Sequence, residues 1–140
     1  MLIRIVVFLF SVTWSLPSSA NFLCTASSDN FGAFNDGLIF SKQVELLDAQ
    51  GTEAGHKLLF KNKHFEFWLV GGTMLKIGSQ PKKLVNFYVE LHSLSPLSIA
   101  RAKSGSTGGE EEAQLELVRY ETGSKFYNGQ LLFRCVRYLN

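Results

Sequence analysis

Between residues 84 and 92 the chain alternates without a break, with Val85, Phe87, Val89 and Leu91 on one phase and Asn86, Tyr88, Glu90 and His92 on the other. A period of two predicts a β-strand with one buried and one wetted face. Similar stretches recur at residues 22–26, 38–47, 56–60, 64–70, 73–77, 97–102, 113–121 and 130–139. Gly, Asn, Asp and Pro separate them. Asn35-Asp36-Gly37 and Lys61-Asn62-Lys63 read as turns. Gly71-Gly72 and Asn128-Gly129 read as two-residue hairpin connections, the second the stronger signal. The best helical match, residues 43–50, rests on Val44, Leu47 and Ala49 and is weak, so this region reads as a strand running into a loop. The pattern predicts an all-β fold: a single-domain antiparallel β-sandwich or a small β-barrel of about eight strands. Residues 104–109 (Ser-Gly-Ser-Thr-Gly-Gly) read as a flexible tip.

The amino-terminal stretch breaks this pattern. Arg4 precedes an apolar run from Ile5 to Leu16, then Pro17 and the small residues Ser18-Ser19-Ala20. This is the layout of an export signal, and the run is too short for a spanning helix of ~20 apolar residues. Residues 1–20 are therefore expected to be a signal peptide and residues 21–140 one β domain, periplasmic or secreted. Without residues 1–20 the chain keeps 13 of its 14 basic residues against 12 acidic ones. That near-neutral balance argues against a nucleic-acid partner and against attachment to anionic lipid. No stable membrane insertion is expected.

Export changes the meaning of the two cysteines. Cys24 and Cys135 lie near the two ends of the β domain, each in phase with apolar neighbours (Phe22 and Ala26; Leu131 and Phe133). In an oxidising compartment they are expected to form one buried disulfide joining the first and last strands. Leu23 argues against acylation of Cys24, because a lipobox wants a small residue there. No Asn-x-Ser/Thr sequon occurs in the chain.

Candidate chemistry is sparse. The histidines are His56, His64 and His92. His64 and Glu66 share a strand face, and His92 joins them if strands 64–70 and 84–92 pair. A metal needs three or four converging ligands, so these residues read as exposed polar positions and no metal or other cofactor is expected. The Ser104–Gly108 run does not match a G-x-S-x-G elbow, and there is no C-x-x-C or phosphate-binding glycine loop. Glu110, Glu111 and Glu112 read as a solvated charge run rather than a rigid carboxylate pair. No enzymatic activity is expected.

The aromatic residues are more informative. Trp68, Tyr88, Tyr120 and Tyr138 fall on the polar phase of their strands, beside Glu66, Glu90, Glu116 and Arg134. If those strands are neighbours, the four form a stripe suited to a protein or glycan partner. The function expected is a small exported, non-catalytic binding or interaction module, with Trp68, Tyr88, Tyr120 and Tyr138 as binding residues. Three alternatives are an inhibitor of a hydrolase, a small outer-membrane β-barrel, and a small enzyme built on His64, Glu66 and His92.

One segment supports the inhibitor alternative. Thr122-Gly123-Ser124-Lys125-Phe126-Tyr127-Asn128-Gly129 resembles the S-G-A-[RK]-Y segment of exported C-type lysozyme inhibitors, which are small β-barrels with an early and a late cysteine. The likeness covers about eight residues and implies a barrel with an inhibitory loop at residues 122–129. The W-x-K-G strand that follows the segment in that family is absent here, and Cys135 comes almost at once.

Overall fold

A computed structural model describes residues 19–31, 34–47, 55–72, 74–75, 78–79, 83–107, 110–121 and 127–138. Eleven strands are present among them: β1 (Ser19–Asp29), β2 (Gly37–Leu47), β3 (His56–Lys61), β4 (Phe65–Gly71), β5 (Met74–Leu75), β6 (Lys83–Leu84), β7 (Phe87–Leu94), β8 (Leu97–Lys103), β9 (Gly105–Thr107), β10 (Glu110–Glu121) and β11 (Tyr127–Tyr138). They form a five-stranded sheet in the order β2-β1-β11-β10-β9 and a four-stranded sheet in the order β3-β4-β7-β8. β5 and β6 make a separate ribbon. All pairings are antiparallel. The two larger sheets form a sandwich and do not close into a barrel. This decides between the two architectures the alternation allowed. It also departs from the closed barrel that the lysozyme-inhibitor likeness and the outer-membrane reading each imply.

The inward phases of both sheets meet in one aromatic core. Phe22 lies edge-on to Phe87 with ring centroids 4.7 Å apart, and Phe67 packs edge-on against Phe133 at 5.1 Å and Phe40 at 5.4 Å. Leu69, Val89 and Leu131 are fully buried beside them. T-shaped ring pairs suit this gap, because two large side chains from opposing sheets interdigitate across it. Cys24 and Cys135 sit directly opposite one another on β1 and β11, with Cα atoms 4.1 Å apart, and are joined in a buried disulfide. The first and last long strands are thus linked as expected. β1 starts at Ser19 and pairs Ser19 with Leu47 and Ala20 with Leu46, so the ladder runs two residues beyond the expected cleavage point. Residues 1–18 lie outside the described residues.

Among the described residues, a side chain helps to fasten each of the two seams of the sandwich. On one side, β2 and β3 are edge strands with one extra residue apiece, Ile39 and Leu59, where the register shifts. The Lys42 ammonium crosses from β2 to donate to the Leu59 carbonyl. On the other side, the chain leaves β8 for β9 in the opposite sheet through Ser104. The Ser104 N–H donates to the Phe87 carbonyl at 2.8 Å, while the Phe87 N–H donates to Ser104 Oγ at 3.0 Å. The hydroxyl replaces the backbone acceptor that β7 loses when the chain departs. Residues 105–107 are accordingly a strand paired with Glu110, Glu111 and Glu112, not the flexible tip expected from composition.

Two glycine signals have other causes than hairpins. Asn128 and Gly129 lie inside β11, opposite Tyr120 and Arg119. A Cβ on Gly129 would stand 2.4 Å from the Asn30 carbonyl oxygen, so the glycine admits a crossing backbone. The β10–β11 connection, residues 122–126, lies outside the described residues. Gly71 and Gly72 do not turn β4 back on itself: β4 pairs with β3 and β7, and Gly72 N–H donates to the Asn86 carbonyl at 2.9 Å. A Cβ on Gly72 would meet that same oxygen at 2.9 Å and the Asn86 side chain closer still. The strand expected at residues 84–92 is also interrupted. Val85 is exposed between β6 and β7, and Arg137 Nη1 takes the Leu84 carbonyl at 2.6 Å. The turn at residues 61–64 is as expected; the Asn62 carboxamide oxygen accepts the N–H groups of His64 and Phe65, both at 2.8 Å.

Candidate functional site

The register of the four-stranded sheet builds its outer face row by row. The central row is Leu58, Trp68, Glu90 and Arg101. One flanking row is His56, Val70, Tyr88 and Lys103; the other is Lys61, Glu66, His92 and Ile99. Partners across an antiparallel ladder point to the same side, so these twelve side chains share one surface. The pairing of β4 with β7 that brings His92 opposite Glu66 is the one the sequence posed as a condition.

Glu90 organises the centre. It is on the outward phase yet only 6 % exposed, because neighbouring side chains fold over it. Arg101 Nε donates to its Oε1 at 2.7 Å, with Nη2 on the same oxygen, and His92 Nε2 lies 2.8 Å from its Oε2. Burial presses the Glu90 carboxyl upward. The hydrogen bonds from His92 and Arg101 and the guanidinium charge outweigh it, and the group is held below the usual carboxylate range. As a carboxylate, Glu90 accepts from His92 Nε2–H. Glu66 makes a second cluster. Lys61 Nζ is 3.0 Å from its Oε1, and the Trp68 indole N–H donates to its Oε2 at 3.0 Å. Those two hydrogen bonds hold the Glu66 carboxyl below its ordinary range.

The aromatic rings are locked into this network. Trp68 lies between two imidazoles, with centroids 5.6 Å from His56 and 5.8 Å from His92. Arg101 stands over the Tyr88 ring at 4.7 Å while bonding Glu90. The result is a patch of half-buried Trp68 and Tyr88 beside the more exposed Arg101, with the indole and the guanidinium each held by a carboxylate. Leu58, Leu97 and Ile99 are exposed around it, Leu97 at 81 % and Ile99 at 60 %.

Comparison with family models, with curated proteins and with solved structures finds no match to this chain.

The four-aromatic stripe does not assemble. Trp68 and Tyr88 are diagonal neighbours on β4 and β7. Tyr138 is on the other sheet, opposite Asn21, half exposed at the rim of a cavity of about 380 Å³ lined by Asn21, Phe22, Gln43, Val44 and Glu45. Tyr120 is placed by its backbone opposite Asn128, toward the far end of the same β10–β11 pair, and its side chain lies outside the described residues. Period-two reading assigns a face within each strand but not the sheet to which the strand belongs, and the stripe was divided between two sheets for that reason.

Two other groupings also changed. Glu110, Glu111 and Glu112 are not a uniformly solvated run. Arg134 grips Glu112 in a two-pronged pair at 2.6 and 3.0 Å, and Arg137 reaches Glu111 at 3.1 Å from the opposite face. His64 stays exposed at the β3–β4 turn. Among the described residues, no group of three or more His, Cys, Asp and Glu side chains is placed to hold a metal, and no helix is long and apolar enough to cross a membrane. The residue sequence reasoning passed over is Arg101. Its signal was the weak alternation Leu97, Ile99, Arg101, Lys103, which continues the polar phase of the neighbouring strand.

Proposed function

We propose that this chain is an exported, non-catalytic protein-binding module that works through the outer face of its four-stranded sheet. The observation that carries the reading is the Trp68, Tyr88 and Arg101 cluster, in which the buried Glu90 carboxylate holds Arg101 over Tyr88 and Glu66 holds the Trp68 indole. Trp, Tyr and Arg dominate the energetics of protein interfaces, and a braced cluster loses little side-chain entropy when a partner docks. A protein is favoured over a glycan, because Arg101 stands over one face of Tyr88 and two tilted imidazoles lie beside Trp68, leaving less open ring face for a sugar to stack on. The disulfide fits a periplasmic or secreted setting. The hydrolase-inhibitor reading gains no support, since Asn128 and Gly129 of its motif are strand residues.

Photo-crosslinking in the exporting cell tests this. A benzoylphenylalanine at Leu58, beside Trp68, is expected to give a discrete polypeptide adduct that Trp68→Ala abolishes. The same probe at Val118, which is equally exposed on the other sheet, is expected to give none. Equal adducts from both positions, or none from Leu58, would overturn the reading.

A further inference from the structure

The four-stranded sheet ends at β8, beyond which no strand pairs among the described residues. Natural sheets guard their edges with bulges, very short strands, charged side chains or covering segments. β2 and β3 each carry a bulge and are tied together by Lys42. β9 is three residues long. β8 has neither a bulge nor short length: it pairs with β7 over seven residues, Leu97 to Lys103, without a register shift, and its guard is the charge of Arg101 and Lys103, which deters a second copy.

The direction of its backbone groups follows from Ser104. That residue's N–H points to Phe87 of β7. With a period of two, Ala102, Ala100 and Ser98 also turn their N–H and C=O groups toward β7. Leu97, Ile99, Arg101 and Lys103 therefore turn theirs outward, where no partner exists among the described residues. The same four residues place their side chains on the outer face. One row of the molecule thus offers unpaired backbone groups together with two exposed apolar side chains and two cations. Lys103 has no ion pair among the described residues.

We propose that β8 is a docking edge for an extended segment of a partner polypeptide. The segment adds antiparallel as a fifth strand, with carboxylates opposite Lys103 and Arg101 and apolar side chains opposite Ile99 and Leu97. Strand addition takes its affinity from the backbone and its specificity from alternate side chains. Charge selects the occupant. A second copy would bring two Arg101 and two Lys103 side chains to one seam, whereas an acidic strand neutralises the unpaired Lys103. The inference rests on the proposed binding role of this sheet and assigns how the partner is held.

The probe is a blocked synthetic heptapeptide, Glu-Thr-Glu-Thr-Val-Thr-Val, titrated by fluorescence anisotropy onto the disulfide-bonded domain. Saturable binding is expected, with slowed amide exchange at Ile99 and Arg101. N-methylation of the peptide at its glutamates or valines, which face β8, is expected to weaken binding at least tenfold. N-methylation at the threonines is expected to leave it nearly unchanged. Lysine in place of both glutamates, or Ile99→Pro in the protein, is expected to abolish binding; that proline removes an outward N–H and spares the β7 ladder. No saturation by about 1 mM peptide, equal sensitivity at all N-methyl positions, or a dimer whose Ile99 and Arg101 amides are protected without peptide would each overturn the proposal. Peptide failure beside a Trp68-dependent adduct at Leu58 would remove the edge and leave the face reading intact. Peptide binding without that adduct would do the reverse.

Discussion

Replacing both cysteines, Cys24→Ala with Cys135→Ala, separates what the disulfide does from what the sheet does around it. The bond closes a loop with a sequence separation of 111. In the chain-entropy model, a loop of about 100 residues restrains the unfolded chain by about 4.7 kcal/mol. The native state has little need of the bond for geometry, because Cys24 and Cys135 are register partners within a continuous β1–β11 ladder from Asn21–Tyr138 to Asp29–Gln130. The loss therefore acts on the unfolded state, with a smaller addition from two buried sulfurs. Single domains hold only about 5–15 kcal/mol in all, so the variant is expected to remain folded with a third or more of its stability gone. Urea unfolding followed by Trp68 fluorescence measures it. The variant's midpoint is expected to fall steeply, with a larger slope, because its unfolded chain exposes more surface. A stability loss under about 1 kcal/mol would refute the loop-entropy reasoning and mean that the β1–β11 ladder already persists in the unfolded state.

Four further outcomes follow from single contacts. Gly129→Ala is expected to cost more than about 2 kcal/mol, since its methyl meets the backbone of Asn30, whereas Gly105→Ala, with open space around it, is expected to stay within about 0.5 kcal/mol in the same urea assay. Ser28→Ala is expected to be neutral or stabilising by about 1 kcal/mol, because Ser28 Oγ is buried without a hydrogen-bond partner among the described residues. Glu90→Gln is expected to cost about 1–3 kcal/mol at neutral pH, from loss of charged hydrogen bonds to Arg101 and His92. Because Glu90 has a lowered folded-state pKa, its contribution is present above the ordinary carboxylate range and fades as pH falls through that lowered value. Wild-type stability measured between pH 7 and pH 3 is therefore expected to decline on acidification, and more steeply than that of Glu90→Gln.

Strand positions were largely legible because burial imposes a period of two, and Phe87, Val89 and Leu91 obey it strictly. The disulfide was legible because both cysteines share phase with apolar neighbours. Sheet membership was not, and this is what divided the aromatic stripe. Nothing local distinguishes an outward tyrosine on β7 from one on β11; the choice is made by the crossing of the chain at Ser104 and at the β2–β3 seam. Glycine misled for a related reason. Gly129 carries a hairpin signature beside Asn128, but its requirement comes from Asn30, nearly a hundred residues away. Glu90 was read correctly as outward and its burial was missed, because that depends on Arg101 and His92 arriving from the strand beyond and from its own strand.

The Trp68 and Tyr88 surface is proposed to serve binding rather than folding. The most direct test is the affinity of Trp68→Ala and Tyr88→Ala for the polypeptide crosslinked at Leu58, measured alongside their urea stability. An affinity loss of at least about 2 kcal/mol, near thirtyfold, is expected, with both variants folded and cooperative. Unchanged affinity, or affinity that falls only as far as the folded fraction does, would contradict it.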